Sequence, residues 1–254
     1  MVHAHSGQAH NQALRATLGS DIIRVVTRHV AFPPKHPLIH RLKYTKTCHG
    51  IIAVSTAVRE VLIAAGIPAD HIQVIHTGIE LPPPPAPRDP HIPRTVGHMG
   101  AFTQEKGQDI AIAAARLLPN VRFILAGDGP LLNDLRATAP ANVEFPGFVT
   151  DKEDFFATLD YFLMPSRSEA WGLAALEAMS HGVPVIAANI PGLSEIITPE
   201  SGYLIPAENP EALAEAITTA QPLSPRPRAE QFSIEEMATQ TEHYYATLIS
   251  SLSV

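Results

Sequence analysis

Short runs of β-branched and apolar residues alternate along this chain with longer segments of helical period. The first series reads Val2–His5, 7–19, Ile23–Val30, 36–49, Gly50–Val54, 56–66 and Ile72–Ile75. A strand-sized run followed by a helix-sized one, repeated, is the pattern of βαβ units, in which helices cross over between parallel strands and cover the sheet. Leu81-Pro-Pro-Pro-Pro-Ala-Pro-Arg-Asp-Pro90 then interrupts the pattern. Such a run makes only an extended polyproline spacer. Beyond it a second alternation begins: Thr95–Gly100, 107–118, Val121–Ala126, 130–138, Val143–Phe145, 151–159, Tyr161–Met164, 172–181, Pro184–Ala187, 192–197 and Gly202–Ile205. A helix near 209–219, a break at Gln221–Arg228 and a last amphipathic helix over 233–251 complete the chain. The pattern predicts an α/β protein with two parallel-sheet domains: 1–80, a linker at 81–93, 94–222, and a C-terminal helix at 232–254. The first sheet reads as incomplete. A doubly wound nucleotide-binding domain begins with a strand feeding a glycine-rich turn, whereas here only four strands are expected, with Val2–His5 left at an edge.

Charge divides the chain in the same place. The formal net charge of −7 is the sum of +4 over residues 1–80 and −11 over 81–254. Nine of the 13 histidines lie in the first part, and residues 35–46 (KHPLIHRLKYTK) mix bases with apolar positions as interfacial helices do. A solvated helix face gives the same pattern, so the segment reads either way. With 45% apolar and 17% charged residues the composition is that of a folded domain. A single Cys48 excludes an internal disulfide. No uncharged apolar run approaches the ~18 residues of a membrane span, and the N-terminus lacks the order of a signal peptide. A cytoplasmic protein is expected, with a peripheral contact at the inner membrane face through 35–46.

The densest chemistry lies in Pro165-Ser-Arg-Ser-Glu169-Ala-Trp171-Gly172-Leu173-Ala-Ala-Leu176-Glu177-Ala-Met179. A strand ends at a Pro-Ser turn, and Gly172 lets a helix start close to whatever lies above the strand's carboxyl end, where such sheets bind ligands. Free backbone N–H groups there suit an anionic or hydroxyl-rich ligand. Glu177 sits in an otherwise apolar helix, so its carboxylate must find donors; a ribose diol supplies two. Glu169, eight positions earlier, faces the same crevice. The plain alternative for either acid is solvation or a contact with the helix dipole.

This segment resembles the E-x7-E region of family-4 glycosyltransferases, retaining enzymes of the two-Rossmann-domain GT-B fold that use nucleotide-diphosphate sugars. Gly100-Ala101-Phe102-Thr103-Gln104-Glu105-Lys106-Gly107 resembles the family's G-R-L-x-x-E-K-G turn. Ala126-Gly127-Asp128-Gly129-Pro130 resembles its A-G-D-G-P turn, and Phe145-Pro-Gly147-Phe148-Val149 its base pocket. The order and spacing agree across roughly 95–206. Val25-Val26-Thr27-Arg28-His29 and Gly50-Ile-Ile-Ala-Val-Ser55 resemble the second half of the family's N-terminal domain. The resemblance implies a GT-B-like fold whose N-terminal domain is truncated, and a C-terminal helix packed back on that domain. It also implies that Glu177 holds the donor ribose, that Glu169 contacts the transferred sugar, and that the amides of Trp171, Gly172 and Leu173 line the sugar pocket. Gly100, Ala101 and Gly127 would form the phosphate turns, Lys106 would neutralise the diphosphate, Phe148 and Val149 would flank the base, and His29 would stand near the donor sugar. Lys106 without its motif reads first as an ordinary exposed lysine, and His29 reads equally as a hydrogen-bonded histidine at a strand end.

Two departures stand out. Ala101 replaces the arginine of the phosphate turn, which leaves Arg167 or Arg28 as substitutes, and the N-terminal glycine-rich loop is absent. A metal on His3, His5 and His10 is a minor possibility. No Asp-x-Asp pair and no Ser-His-Asp or Cys-His arrangement is recognisable, and the acidic balance argues against nucleic acid. The expected activity is therefore hexosyl transfer from a UDP- or GDP-type donor to a glycan, lipid or small-molecule hydroxyl, with retention and without a metal cofactor. A non-catalytic nucleotide-sugar-binding remnant and a sugar-nucleotide epimerase are the alternatives.

Overall fold

The structure, a computed structural model, describes residues 1–32, 37–84 and 94–252. Lys35, His36 and the linker stretch 85–93 lie outside the described residues, as do the side chains of 37–40. The chain divides into two compact units, Met1–Gly78 with Phe232–Val254, and Ile79–Gln231.

In the first unit β1 (Val2–Ala4), β2 (Arg24–Arg28), β3 (Gly50–Ala53) and β4 (Ile72–Val74) pair in parallel in chain order. The crossovers are α1 (Gly7–Ala16), α2 (Pro37–Thr47) and α3 (Thr56–Ala64). Ser6 and Ser55 begin α1 and α3 by accepting a hydrogen bond from an amide of the first turn, which satisfies one of the orphan donors of a helix start.

The second unit contains β5 (Thr95–Met99), α4 (Gln108–Leu117), β6 (Arg122–Ala126), α5 (Leu132–Thr138), β7 (Val143–Gly147), α6 (Lys152–Ala157), β8 (Tyr161–Met164), α7 (Leu173–Ser180), β9 (Val185–Ala188), α8 (Leu193–Ile196), β10 (Gly202–Ile205), α9 (Pro210–Thr219) and α10 (Arg226–Ala229). Its six parallel strands lie in the order β7-β6-β5-β8-β9-β10. The direction of travel across the sheet therefore reverses between β5 and β8. At such a switch point the flanking crossovers leave on opposite faces and open a crevice at the strands' carboxyl ends. The first sheet, built in one direction, has no such reversal.

The helix expected at the C-terminus, α11 (Ile234–Leu252), belongs to the first unit. Its Met237, Tyr244, Tyr245 and Leu248 pack around Val25, Ile52 and Ile75, one face of that sheet. The break expected at Gln221–Arg228 is partly helical. Arg226 reaches the carbonyls of Ser180 and Pro82, and Arg228 those of Ile196 and Glu195, so side-chain donors hold a stretch that has little helical period. No helix among the described residues is long and apolar enough to cross a membrane.

The second unit's core collects Phe102, Phe123, Leu125, Leu163, Ile186 and Leu213. Burying each such side chain is worth roughly 1.5–3 kcal/mol. Inside this apolar setting sits His98 near the end of β5, with no exposed surface. Its Nδ1–H donates to the Leu163 carbonyl of β8 (2.9 Å), and its Nε2 accepts from Gln108 Nε2 at the start of α4 (3.1 Å). Gln108 also donates to the Ala101 carbonyl (2.8 Å). One neutral imidazole thus joins both strands of the switch point to the following helix. Burial holds its pKa down to about 4, against an ordinary value of 6.5.

Gly107, the residue before α4, has φ +69°, and a Cβ there would overlap the Pro165 carbonyl. Gly172, before α7, has φ +88° and would meet Leu193. Gly107→Ala should cost at least ~1–3 kcal/mol, from positive φ and overlap together, read as a shift of the urea midpoint. Protonating His98 is disfavoured in the folded state only, so stability should be complete above about pH 6.5 and fall as pH drops toward 4. His98→Gln should lower stability at pH 7 and reduce the slope between pH 4 and 6.5 by up to about 1.4 kcal/mol per pH unit, one proton's share. An unchanged slope in urea titrations across that range would count against the imidazole's role.

Candidate functional site

The crevice at the switch point is bordered by two turns, 100–107 after β5 and 165–172 after β8. Each leads into a helix whose first amides have no side-chain cap, unlike α1, α3, α6 and α9. Uncapped helix starts present N–H groups and a positive dipole end to an anion.

The turns are fastened to each other. Arg167 N–H donates to the Glu105 carbonyl (2.8 Å) and its guanidinium to the Gln104 carbonyl (2.8 Å). The same guanidinium clamps Asp109 through both oxygens (2.9 and 2.7 Å) and reaches Glu208 (3.0 Å). The Arg167 bonds hold the Asp109 carboxyl below the usual carboxylate range, and the carboxylates push the guanidinium up in turn. This corrects the expectation that Arg167 could replace the cation lost at Ala101: four of its five side-chain N–H donors are held by the scaffold. Arg28, the other substitute, belongs to the first unit and donates to the carbonyls of Val30 and Phe32.

Fastening the turns brings Lys106 and Glu169 together. Lys106 Nζ lies 2.6 Å from Glu169 Oε1, and Ser166 Oγ donates to the same oxygen (3.1 Å). The Glu169 side chain is 9% exposed and that of Lys106 31%, so the pair sits at the wall of the crevice with the ammonium on the wetter side. Trp171 is buried, whereas Leu173 is exposed. Gly127 packs against the backbone of Gly100, so the two phosphate-turn candidates share one wall with Ala101. Phe148, after β7, is 81% exposed, a free aromatic surface; Val149 follows it.

Glu177 lies on α7 and takes a partner that the sequence does not announce. Lys152 Nζ, in the first turn of α6, is 2.7 Å from Glu177 Oε1. Lys152 and Asp109 have no motif to mark them, because each acts across a sequence gap closed only by the fold; Ser166 reaches Glu169 within the same turn.

The remaining candidates lie in the first unit. His3, His5, Thr27 and His29 line a cavity of about 410 Å³ whose other wall is Met237, Thr241, Glu242 and Tyr245 of α11. His3 is hydrogen-bonded to Tyr245 (2.5 Å) and Thr27 (2.7 Å), and burial next to His5 and His29 holds its pKa down to about 4. His29 Nε2 lies 3.4 Å from His5 Nδ1, and burial, then His5, lowers its pKa. His10 stands apart from them, bonded to Thr47 (3.1 Å) and Cys48 (3.1 Å), so the three histidines considered for a metal do not converge. The Cys48–His10 contact was not expected from sequence. Burial lifts the thiol to about 11 and holds the imidazole down to about 4, so both stay neutral and no thiolate nucleophile forms.

Known proteins resemble this chain in sequence and in fold. Residues 93–221 match the family of glycosyl transferases group 1, and residues 1–82 match glycosyltransferase family 4. The O-antigen biosynthesis glycosyltransferase WclY of Escherichia coli is 35% identical over 164 residues, covering 60% of this chain and 46% of that protein. A GDP-mannose-dependent alpha-(1-6)-phosphatidylinositol dimannoside mannosyltransferase of Mycobacterium tuberculosis is 37% identical over 131 residues, 48% of this chain and 34% of that protein. The chain spans less than half the length of these relatives. Among solved structures, Anabaena Alr3699/HepE in complex with UDP superimposes with a TM-score of 0.83 at 23% identity, covering 96% of this chain and 78% of that one. Sucrose-phosphate synthase of Thermosynechococcus elongatus gives 0.83 at 22%, covering 98% and 73%. At such identities the likeness concerns the fold, which is that of the GT-B glycosyltransferases. With a family match that runs through both turns of the crevice and takes in half of the sequence, the chain belongs to the group 1 glycosyl transferases.

Proposed function

We propose that this protein transfers a hexose from a nucleotide-diphosphate sugar to an acceptor hydroxyl with retention of configuration, the donor lying in the crevice of the second unit. The observation that carries this reading is the meeting of Lys106 and Glu169 between two uncapped helix starts. Support for the donor class comes from relatives: the Anabaena protein has been solved with UDP and with UDP-glucose, and the mycobacterial relative is GDP-mannose-dependent.

The assignment follows the chemistry of each group. The diphosphate takes Lys106 and the N–H groups of Ala101, Gly172 and Leu173, which together balance the charge that builds up as the sugar leaves, so the scheme calls for no metal; the Gly100 N–H is held by the Ala126 carbonyl. Glu169, freed from Lys106 by the arriving phosphate, accepts hydrogen bonds from the hexose hydroxyls. Glu177 accepts from the ribose diol, and Phe148 with Val149 flanks the base. In the reaction the bond from the anomeric carbon to the diphosphate oxygen breaks and a bond to the acceptor oxygen forms. The acceptor proton passes to the departing phosphate oxygen. His29, kept neutral by burial, is the first unit's candidate for an acceptor hydroxyl. The basic segment 35–46, in which residues 35–36 and the side chains of 37–40 lie outside the described residues, is proposed to touch an anionic membrane surface, where each base near the surface adds about 1 kcal/mol.

Lys106→Ala should lower kcat/KM by about 10²–10³-fold, the size seen when one preorganised donor to a developing anion is lost. Glu177→Ala should weaken UDP or GDP binding by about ten- to a hundredfold in calorimetry. Product analysis with a radiolabelled nucleotide sugar is expected to give a glycosylated acceptor. Binding without turnover, or an isomerised nucleotide sugar, would sink the transferase reading. Cosedimentation with anionic vesicles should weaken as salt rises; salt-insensitive binding would count against the membrane contact.

A further inference from the structure

We propose that Lys152 is a positioning residue: it fixes the Glu177 carboxylate for the donor's ribose diol and so sets how well the site tells ribonucleotides from deoxyribonucleotides. The proposal rests on the reading that Glu177 holds the ribose.

Lys152 occupies a position that its own helix does not favour. The first turn of a helix attracts anions, and α6 supplies them with Glu153 and Asp154, while Asp151 caps the start by accepting from the Asp154 amide (2.9 Å). A cation there gains nothing from the helix. Its ammonium is instead directed 25 residues along the chain to Glu177 Oε1, at 2.7 Å.

Folding stability does not account for the pair either. The lysine side chain is 49% exposed and the glutamate 28%, and ion pairs this wet contribute roughly 0–1 kcal/mol. What the contact changes is geometry. Glu177 is the fifth residue of α7, whose other inner positions, Ala175, Leu176, Ala178 and Met179, are buried. With Oε1 tethered, the carboxylate can no longer turn freely toward solvent. A carboxylate has about four acceptor positions. The ammonium takes one, which leaves enough for two hydroxyl donors.

The tether also joins two parts of the donor site. Lys152 follows Phe148 by four residues, on the segment that leaves β7 past the exposed phenyl ring. The Lys152–Glu177 contact therefore sets the distance between the surface proposed for the base and the carboxylate proposed for the sugar attached to it. Losing the lysine removes no acceptor, so its effect should fall on hydroxyl recognition and not on phosphate binding.

The test measures, by calorimetry, the affinity for UDP or GDP, whichever binds more tightly, and for the 2′,3′-dideoxy form of the same nucleotide. The wild type is expected to prefer the ribonucleotide by about ten- to a hundredfold, the worth of hydrogen bonds to a charged group. Lys152→Met should shrink that preference to about threefold or less while leaving affinity for the dideoxy form unchanged, and Lys152→Arg should restore most of it. Lys152→Gln reads the same loss if the methionine variant proves insoluble. A wild-type preference retained in Lys152→Met and Lys152→Gln, or an equal loss of affinity for both nucleotides, would overturn the proposal. A wild type with no preference would overturn the ribose assignment of Glu177 first, and the proposal with it.

Discussion

Parallel strands deliver all their carboxyl ends to one edge, and where the strand order reverses, the two chains leaving that edge depart to opposite faces of the sheet. In the second unit the turns after β5 and β8 nonetheless stay in contact. Gly107 admits the Pro165 carbonyl where any side chain would collide, and Arg167 ties its own turn to Glu105, Gln104 and Asp109. Lys106 and Glu169 meet because of this fastening. Their value lies in placing a cation and a carboxylate side by side at an opening lined with amides.

The charge arrangement separates scaffold from site. Arg167 makes four side-chain hydrogen bonds to acceptors of its own unit and stands between helices as a clamp. Lys106 and Lys152 each hold a single carboxylate oxygen, and both carboxylates keep a second oxygen for other donors. A ligand that brings its own phosphates and hydroxyls can trade into such pairs, since both ammonium groups are partly solvated. Titratable groups that cannot trade, such as His98 and the Cys48–His10 contact, are kept neutral by burial. They act as hydrogen-bonding parts of the core.

Much of this was written in the alternation of apolar runs. Strand and helix periods differ, the helices needed to connect parallel strands are long, and the proline run marks where one series stops, so two α/β sheets follow from pattern alone. The glycine turns were legible too, because only glycine tolerates positive φ next to another backbone. The short helix at Arg226–Ala229 was not: its order comes from arginine side chains bonding to carbonyls 30 or more residues away. The same holds for the Cys48–His10 contact, which depends on a crossover helix lying against its neighbour.

Sequence by itself therefore determined the class of fold, the edge of the sheet where chemistry gathers and the acids that stand there, since all of these are fixed by local period and by turns of a few residues. Tertiary structure decided which charge meets which: Lys106 with Glu169, Lys152 with Glu177, Arg167 with Asp109 instead of an incoming phosphate. Coulomb attraction acts over a few ångströms, and those ångströms exist only after the strands have paired in an order that the linear chain does not display.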